Sequence, residues 1–507
     1  ELTISNKGFS KDNKSQKKDI AMDNPSEKSM LKEKTKAAKA KERAVKESAR
    51  EAKELARLEK EKARPKRPTY FWYLIVILCL IYIVDEVTTS LPNEMQPDIN
   101  NEFFVLGMGL DKNAGISKLK LMEALANGLL VIGFFWKALA DRFGRKPFLI
   151  ANTIGMVGGL LLCLWSKSLW MYILGFFIIR FFVTPDEQIV YIFETAPVKK
   201  RATIFSAVKG IAELGLLLIP LGRKTLMQDN TANWRLAFLI PACVGLAASF
   251  LICFFARETD AFLDSRIAYL KLTPEQREAI AKEKKDQSKK QGGFFTAMSF
   301  SLRSPQLRWI FICTLLFTLS RTITSDYNNI LEAADYTTAQ ISNAMLIFPI
   351  TCAAIVFGYG FLSDAKGRKV TSIFLLSISI ASLLLLYFGA IYGWNEWLLG
   401  AFIGLFLGSY WGNGDIFMLM AGESAPTNLR ASVMSAWTAA YGVGMVTSML
   451  IGVLVVKFLP SNRYSPGLFC IILAIPCFVL SLVFLMLKVK ETRGANFQEI
   501  DAENQKF

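Results

Sequence analysis

Long apolar runs alternate with short charged turns from residue 70 to residue 488. The runs fall near 70–91, 120–140, 147–166, 169–193, 203–222 and 235–256, and again near 308–328, 340–362, 370–391, 397–420, 432–457 and 467–488. About twenty apolar residues in a helix cross the roughly 30 Å hydrocarbon layer of a bilayer, and each run reaches that length. The pattern predicts an all-α membrane protein with twelve transmembrane helices in two six-helix halves. Five segments follow: a basic N-terminal arm over 1–69, a first half over 70–256, a basic linker over 257–306, a second half over 307–488 and a tail over 489–507.

The polar turns repeat. Asp141-Arg142-Phe143-Gly144-Arg145-Lys146 follows the second run, and Asp364-Ala365-Lys366-Gly367-Arg368-Lys369 follows the eighth. After two more runs comes a second cassette, Glu194-Thr195-Ala196-Pro197 closed by Arg201 in one half and Glu423-Ser424-Ala425-Pro426 closed by Arg430 in the other. Asp186 stands eight residues before Glu194, and Asp415 eight before Glu423. Two motifs recurring in one order indicate duplication, the construction from which secondary transporters are built.

These residues resemble the major facilitator superfamily, whose members carry a Gly-x-x-x-Asp-Arg-x-Gly-Arg-Lys turn between spans 2 and 3 and again between spans 8 and 9. The Glu-x-x-Pro-x-x-x-Arg cassettes are similar to those of its sugar porter branch. Lys137 replaces the leading Gly of the first turn, whereas Gly360 keeps it in the second, where Ala365 replaces the Arg. Glu491-Thr492-Arg493-Gly494 is similar to the Pro-Glu-Thr-Lys-Gly ending of sugar porters, with Lys490 for the Pro, and Arg257-Glu258-Thr259 is a weaker likeness of their segment after span 6. The resemblance implies that Asp141, Arg145, Glu194 and Arg201, and in the other half Asp364, Arg368, Glu423 and Arg430, lock spans together when the cytoplasmic side is closed. Arg142, Gly144, Lys146, Pro197, Gly367, Lys369 and Pro426 complete these gating motifs. The chemistry suits the role: an Asp caps helix amides, a Gly turns sharply, and an Arg grips a carboxylate with two prongs. The plainer alternative is that Gly-Arg-Lys only supplies positive charge to the cytoplasmic side.

Charge sets the orientation. A net charge of +16 in a soluble chain would suggest nucleic acid, but 52% apolar content makes this a membrane chain, and its excess Lys and Arg mark the cytoplasmic side. The arm, both Gly-Arg-Lys turns, Lys199-Lys200-Arg201 and the linker all fall on one side, while the first opposite loop is acidic, with Glu94, Asp98, Glu102 and Asp111. Both termini are therefore expected in the cytoplasm, and the protein in the cell membrane. Tyr70, Phe71, Trp72 and Tyr73 form an aromatic belt at the start of the first span. Residues 1–25 are polar, mixed and without a cleavable signal pattern, whereas 26–64 are rich in Ala, Lys, Glu and Arg and favour a helix. A solvated helix is the simpler reading of that stretch; an arm touching anionic lipid is the other.

Histidine is absent, which excludes His-based relays, His metal sites and Ser–His or Cys–His nucleophiles. All eight cysteines lie in apolar runs and none forms Cys-x-x-Cys, so they read as small buried residues, not as a disulfide or zinc framework. No nucleotide loop is present. The expectation is no enzyme, no cofactor, no metal and no nucleic acid, with a small solute, protons and the bilayer as partners, in a monomer.

Charges inside spans point to function, because each is costly unless paired or wetted. Asp85 and Glu86 lie in span 1; Arg180, Asp186 and Glu187 in span 4; Lys209 and Glu213 in span 5; Arg321 and Asp326 in span 7; Asp415 in span 10. Lys209 and Glu213 are i,i+4 neighbours and can neutralise each other, and Asp186 and Asp415 can be structural pairs near inner helix ends. Asp85 or Glu86 is the expected proton-titrating group, with Arg180, Asp186 and Glu187 as further coupling candidates. Arg321, Asp326, Asn328 and Asp415 are the substrate-binding candidates. Where sugar porters carry a Gln-Gln pair in span 7, this chain has Ser320-Arg321-Thr322-Ile323-Thr324-Ser325-Asp326, and an Arg suits a carboxylate or phosphate better than a neutral sugar. Proton-coupled uptake of an organic anion or metabolite is the first reading and sugar–proton symport the second. A transporter-like sensor that binds ligand without net flux is the reading from another class.

Overall fold

A computed structural model describes residues 25–65, 69–128, 136, 143–183, 187–195, 201–228, 230–280, 282, 294–426, 430–458 and 470–493. Asp141, Arg142, Asp186 and Pro197 lie outside the described residues, as do the side chains of Glu187, Arg201 and Arg430. Among the described residues every regular element is a helix.

In chain order, α1 (Pro25–Ala63) precedes α2 (Tyr70–Glu94), α3 (Gln96–Asn100), α4 (Lys112–Gly128) and α5 (Arg145–Leu164). Then come α6 (Leu169–Val183), α7 (Glu187–Thr195), α8 (Arg201–Gly215), α9 (Leu218–Gly222) and α10 (Leu239–Phe255). α11 (Asp260–Lys271) and α12 (Phe294–Arg303) occupy the linker. The second half contains α13 (Pro305–Thr318), α14 (Tyr327–Ala333), α15 (Thr338–Lys366), α16 (Arg368–Ile391), α17 (Glu396–Ser424), α18 (Arg430–Phe458) and α19 (Ile475–Lys488). This order accommodates twelve passes in two sets of six. Among the described residues six helices are long and apolar enough to span by themselves: α2, α5, α10 with the turn before it, α15, α16 and α18.

Several passes are built from pieces where the apolar pattern suggested one rod, and the interruptions have local causes. α8 stops at Gly215 and α9 starts at Leu218 because Pro220 has no N–H to offer the Leu216 carbonyl; the Ile219 amide takes that carbonyl instead, at 3.1 Å. The seventh pass breaks between α13 and α14 into a tight 3₁₀ turn, Arg321–Ser325. There the Thr324 hydroxyl donates to the Arg321 carbonyl at 2.7 Å, competing with the helical ladder. Irregular backbone at membrane depth is tolerated where protein buries it, and it is where transporters place their sites.

The turns expected to organise the chain do start helices. Gly144 precedes α5 with φ +110° and Gly367 precedes α16 with φ +105°, a region open to Gly and strained for other residues. α15 begins at a capping box in which Thr337 and Gln340 satisfy each other's backbone. One apolar core runs through both halves, and a second, around Leu78, Ile81 and Ile252, packs the first half. Large apolar side chains such as Leu246, Phe250 and Phe254 stay on the outside of α10, the face a bilayer would cover.

The chain divides into two compact units. In the smaller, α1 is accompanied by Ile267–Leu272: Leu58, Ile267 and Leu270 are buried, and Lys271 pairs with Glu59 at 2.8 Å. Residues Val45–Arg50 of α1 are exposed. The larger unit, Pro65–Arg266 with Thr273–Phe507, holds all twelve passes.

Candidate functional site

At the ends that carry the Gly-Arg-Lys turns, the two halves show the same arrangement. The Arg145 guanidinium bonds Glu194 at 3.2 Å, and the Thr259 hydroxyl donates to the other Glu194 oxygen at 2.6 Å. In the second half Arg368 bonds Glu423 at 3.2 Å and Asp364 at 2.8 Å, and the Thr492 hydroxyl donates to Glu423 at 2.6 Å. Glu258 accepts the Arg145 and Lys146 amides at 3.0 and 3.2 Å, and Glu491 accepts the Arg368 and Lys369 amides at 2.8 and 3.0 Å. Each Glu thus caps the helix that starts at the Gly-Arg-Lys turn, where open amides favour an anion. A Cβ on Gly144 would meet the Glu258 carboxylate, and one on Gly367 that of Glu491, each at 2.4 Å. The Glu-Thr pair, Glu258-Thr259 and Glu491-Thr492, is a third repeated motif, which in the sequence shows only as two separate likenesses to sugar porter segments. Each of these bonds joins residues of one half to each other or to the segment that follows that half.

Burial alone would raise the Glu491 carboxyl, but amide donors from Arg493, Arg368, Thr492 and Lys369 outweigh it and hold the group below its ordinary value. A depressed acid contributes stability above its unfolded pKa and loses it as pH falls through the folded one. Glu491→Gln should therefore destabilise the fold at neutral pH, by at most about 1 kcal/mol for so exposed a group, and match the wild type in acid below the carboxylate range. Thermal unfolding across that range checks it; an equal deficit at both ends would contradict it.

Mid-membrane, Asp85 on α2 accepts the Gln188 amide of α7 at 2.5 Å. Arg180 on α6 lies over Phe176, 5.3 Å from the ring centre, and reaches the Thr89 carbonyl at 3.4 Å. It is within electrostatic reach of Arg321, Glu123, Tyr172 and Asp85. Arg321, 5% exposed, stacks its guanidinium over Trp411 of α17 at 4.6 Å. Among the described residues no carboxylate pairs with it, and its Nε has no hydrogen-bond acceptor. Tyr327, Tyr410 and Tyr441 are within its electrostatic reach. A buried cation on an aromatic plate, without an acid, is an anion receptor in chemical terms.

Toward the ends opposite the Gly-Arg-Lys turns, polar bridges join the halves. Tyr327 and Asn328 both donate to Glu94, the latter at 2.8 Å, and Asn329 donates to Gln96 at 2.7 Å. Lys120 of α4 is ion-paired with Asp326, and Lys112 with Glu332 at 2.8 Å. Gln96 also hydrogen-bonds Glu123. The acidic loop expected in water is therefore largely inside: Glu94 is 1% exposed, Asp98 is buried against Arg223, and Glu102 is clamped by Arg235 at 2.6 and 2.7 Å. Bonds from Arg235, chiefly, and from Trp234 hold Glu102 below its ordinary pKa. Each of these acids found a cation or donor in a distant segment, which the sequence does not display.

The family model for sugar (and other) transporters matches residues 121–503. The chain belongs to this sugar transporter family. It is a transporter, not an enzyme, and an integral multi-pass membrane protein. A D-xylose–proton symporter structure covers 84% of this chain and 100% of its own at 15% identity with TM-score 0.62. An inward-open xylose transporter of E. coli covers 85% and 99% at 16% identity with TM-score 0.63, so the fold is that of the major facilitator superfamily. Among curated relatives, a class H tetracycline resistance protein of Pasteurella multocida is 27% identical over 36% of this chain, and a proton myo-inositol cotransporter of Caenorhabditis elegans is 28% identical over 28% of it. The matches span 44% and 24% of those two proteins.

Against this sugar transporter frame, the structure brings together some predicted residues and separates others. Asp85, Arg180 and Arg321 fall in one electrostatic group. Asp326 and Asn328, expected to bind substrate, are engaged in bridges between halves. Lys209 and Glu213 are not each other's ion pair: Lys209 pairs with Asp415 at 2.8 Å, because a partner across the half interface lies closer than the one along its helix. Glu86 is half-buried, near Cys352. Lys120, Glu123, Glu94 and Gln188 were not anticipated. The first two are i,i+3 neighbours at the edge of an apolar run, a signal that could have flagged them.

Proposed function

We propose that this transporter takes up a hydroxylated organic acid, in the plainest case a sugar acid, together with a proton by alternating access. The observation that carries this is Arg321, a buried guanidinium stacked on Trp411 with no carboxylate paired to it among the described residues. A substrate carboxylate would complete it with a two-pronged bond, and Tyr327, Tyr410 and Tyr441 within its electrostatic reach suit hydroxyls. Asp85, beside Gln188 and within reach of Arg180, takes the substrate-linked proton: when protonated it frees Arg180, and the loaded carrier crosses with less unpaired charge. The Gly-Arg-Lys motifs brace the helix ends of each half on the cytoplasmic side, and both termini and the basic linker lie in the cytoplasm of a cell-membrane protein. A neutral-sugar reading is favoured by the xylose symporter and the inositol cotransporter.

Purified protein in liposomes, offered labelled glucuronate, gluconate, xylose and myo-inositol with and without an inward proton gradient, separates the two. Gradient-driven uptake of the acids is expected; uptake of xylose or inositol alone would replace the first reading by the second. For orientation, a single cysteine at the exposed Met108 should label from outside and one at the exposed Glu278 only after the membrane is opened. The reverse pattern would invert the placement of both gates.

A further inference from the structure

One buried polar cluster is unused by this reading. It joins α8 of the first half to α15 and α17 of the second. Lys209 pairs with Asp415 at 2.8 Å, and the Tyr359 hydroxyl donates to the same oxygen at 2.5 Å. One turn along α8, Glu213 is 3% exposed, and the Cys352 thiol, 3.5 Å away, is the hydrogen-bond donor to its carboxyl among the described residues. A thiol is a weak donor. At 1.5 Å per residue, Lys209 and Glu213 stand about 12 and 18 Å from the inner start of α8, and Asp415 about 14 Å from the inner end of α17. From α2, Tyr82 is within electrostatic reach of Lys209 and Glu86 within reach of Cys352, and neither adds a cation. The cluster therefore has one cation for two or more carboxyls. Lys209 neutralises one carboxylate, and a second bare charge at this depth is heavily penalised, which leaves a proton as its neutraliser.

We propose that Glu213 is a second proton-binding site, and that Lys209 exchanges Asp415 for Glu213 when the inner side opens. In the arrangement seen here Lys209 is bound to Asp415 across the halves, and Glu213 is a neutral acid. Separation of the halves carries Asp415 away with α17, and water enters. Lys209 then turns to Glu213, four residues along its own helix. The Glu213 O–H bond breaks, its electrons stay on the carboxylate, and the proton passes to inner water. Asp415 keeps its charge, now hydrated. The buried set is neutral at both stages, and one proton leaves per opening. This deepens the proton-coupled reading and is independent of which substrate is carried.

Linkage gives the size of the effect: an opening that releases one proton gains about tenfold in open-to-closed ratio per pH unit while Glu213 titrates. The measurement uses the full chain in liposomes without substrate. Spin labels replace the exposed Phe254 and Phe361, and every native cysteine except the buried Cys352 is removed. Distances between the labels report inner opening against pH. The wild type should open with rising pH at about that slope, and Glu213→Gln should reduce it to less than about twofold per unit. Glu213→Asp should restore the slope at a shifted midpoint. A wild-type slope in Glu213→Gln would overturn the proposal and leave proton coupling to Asp85. A flat wild type would overturn it too. Wild-type slope, loss in Glu213→Gln, and uptake indifferent to a proton gradient would support the site while sinking the uptake reading.

Discussion

Arg321→Ala is expected to lower uptake of an acid substrate about a hundredfold, equivalent to about 3 kcal/mol of lost binding to the carboxylate. The protein should still fold and insert. Arg321 has no carboxylate paired to it among the described residues, so its removal orphans no buried acid. Its loss costs the Trp411 stack alone, on the order of 1 kcal/mol. Arg321→Lys should fall between, because an ammonium keeps the charge but neither the two-pronged geometry nor the flat stack. Initial uptake rates beside melting temperatures check both halves of the claim. Arg321→Ala with uptake within threefold of wild type, or with the protein unfolded, would remove Arg321 from the substrate site.

Asp326→Ala should be the most destabilising single change at the outer side. It leaves Lys120 buried without its partner, and breaking a buried pair in this way costs about 3–5 kcal/mol. Glu123, three residues along α4 and within electrostatic reach of Lys120, is a substitute partner that places the expected loss at the low end of that range. The pair joins the halves, so the loss falls on the outward-closed arrangement. Labelling of cysteines near Glu94 and Gln96 from outside should speed up. Lys120→Met combined with Asp326→Leu should regain the melting temperature without regaining closure. A melting curve for Asp326→Ala within about 1 kcal/mol of wild type, with unchanged labelling, would mean that Lys120–Asp326 is not an outer bolt.

The apolar pattern reveals which segments cross, because that depends on runs of local composition. The two Gly-Arg-Lys turns are legible for the same reason: a positive-φ Gly and a helix start are local events, and both appear at Gly144 and Gly367. What stays hidden is pairing at a distance. Lys209 shows its i,i+4 neighbour Glu213 in the sequence, yet its partner Asp415 is 206 residues away. Glu94 sits just past an apolar run and reads as a loop acid until Tyr327 and Asn328 fold over it. Arg321 announces itself as a charge inside a span, but the absence of a carboxylate partner and the Trp411 beneath it are facts of packing. The break in the seventh pass was likewise masked, since Ile323 and Tyr327 keep the run apolar enough to pass as one helix while Thr324 unwinds it.

The most direct test of coupled acid uptake uses proteoliposomes loaded with buffer alone and given an inward proton gradient as the sole driving force. Labelled glucuronate should accumulate inside above its external concentration, and a protonophore added at the plateau should release it. Entry that stops at equal concentrations, or accumulation untouched by the protonophore, would contradict proton-coupled transport of an acid by this chain.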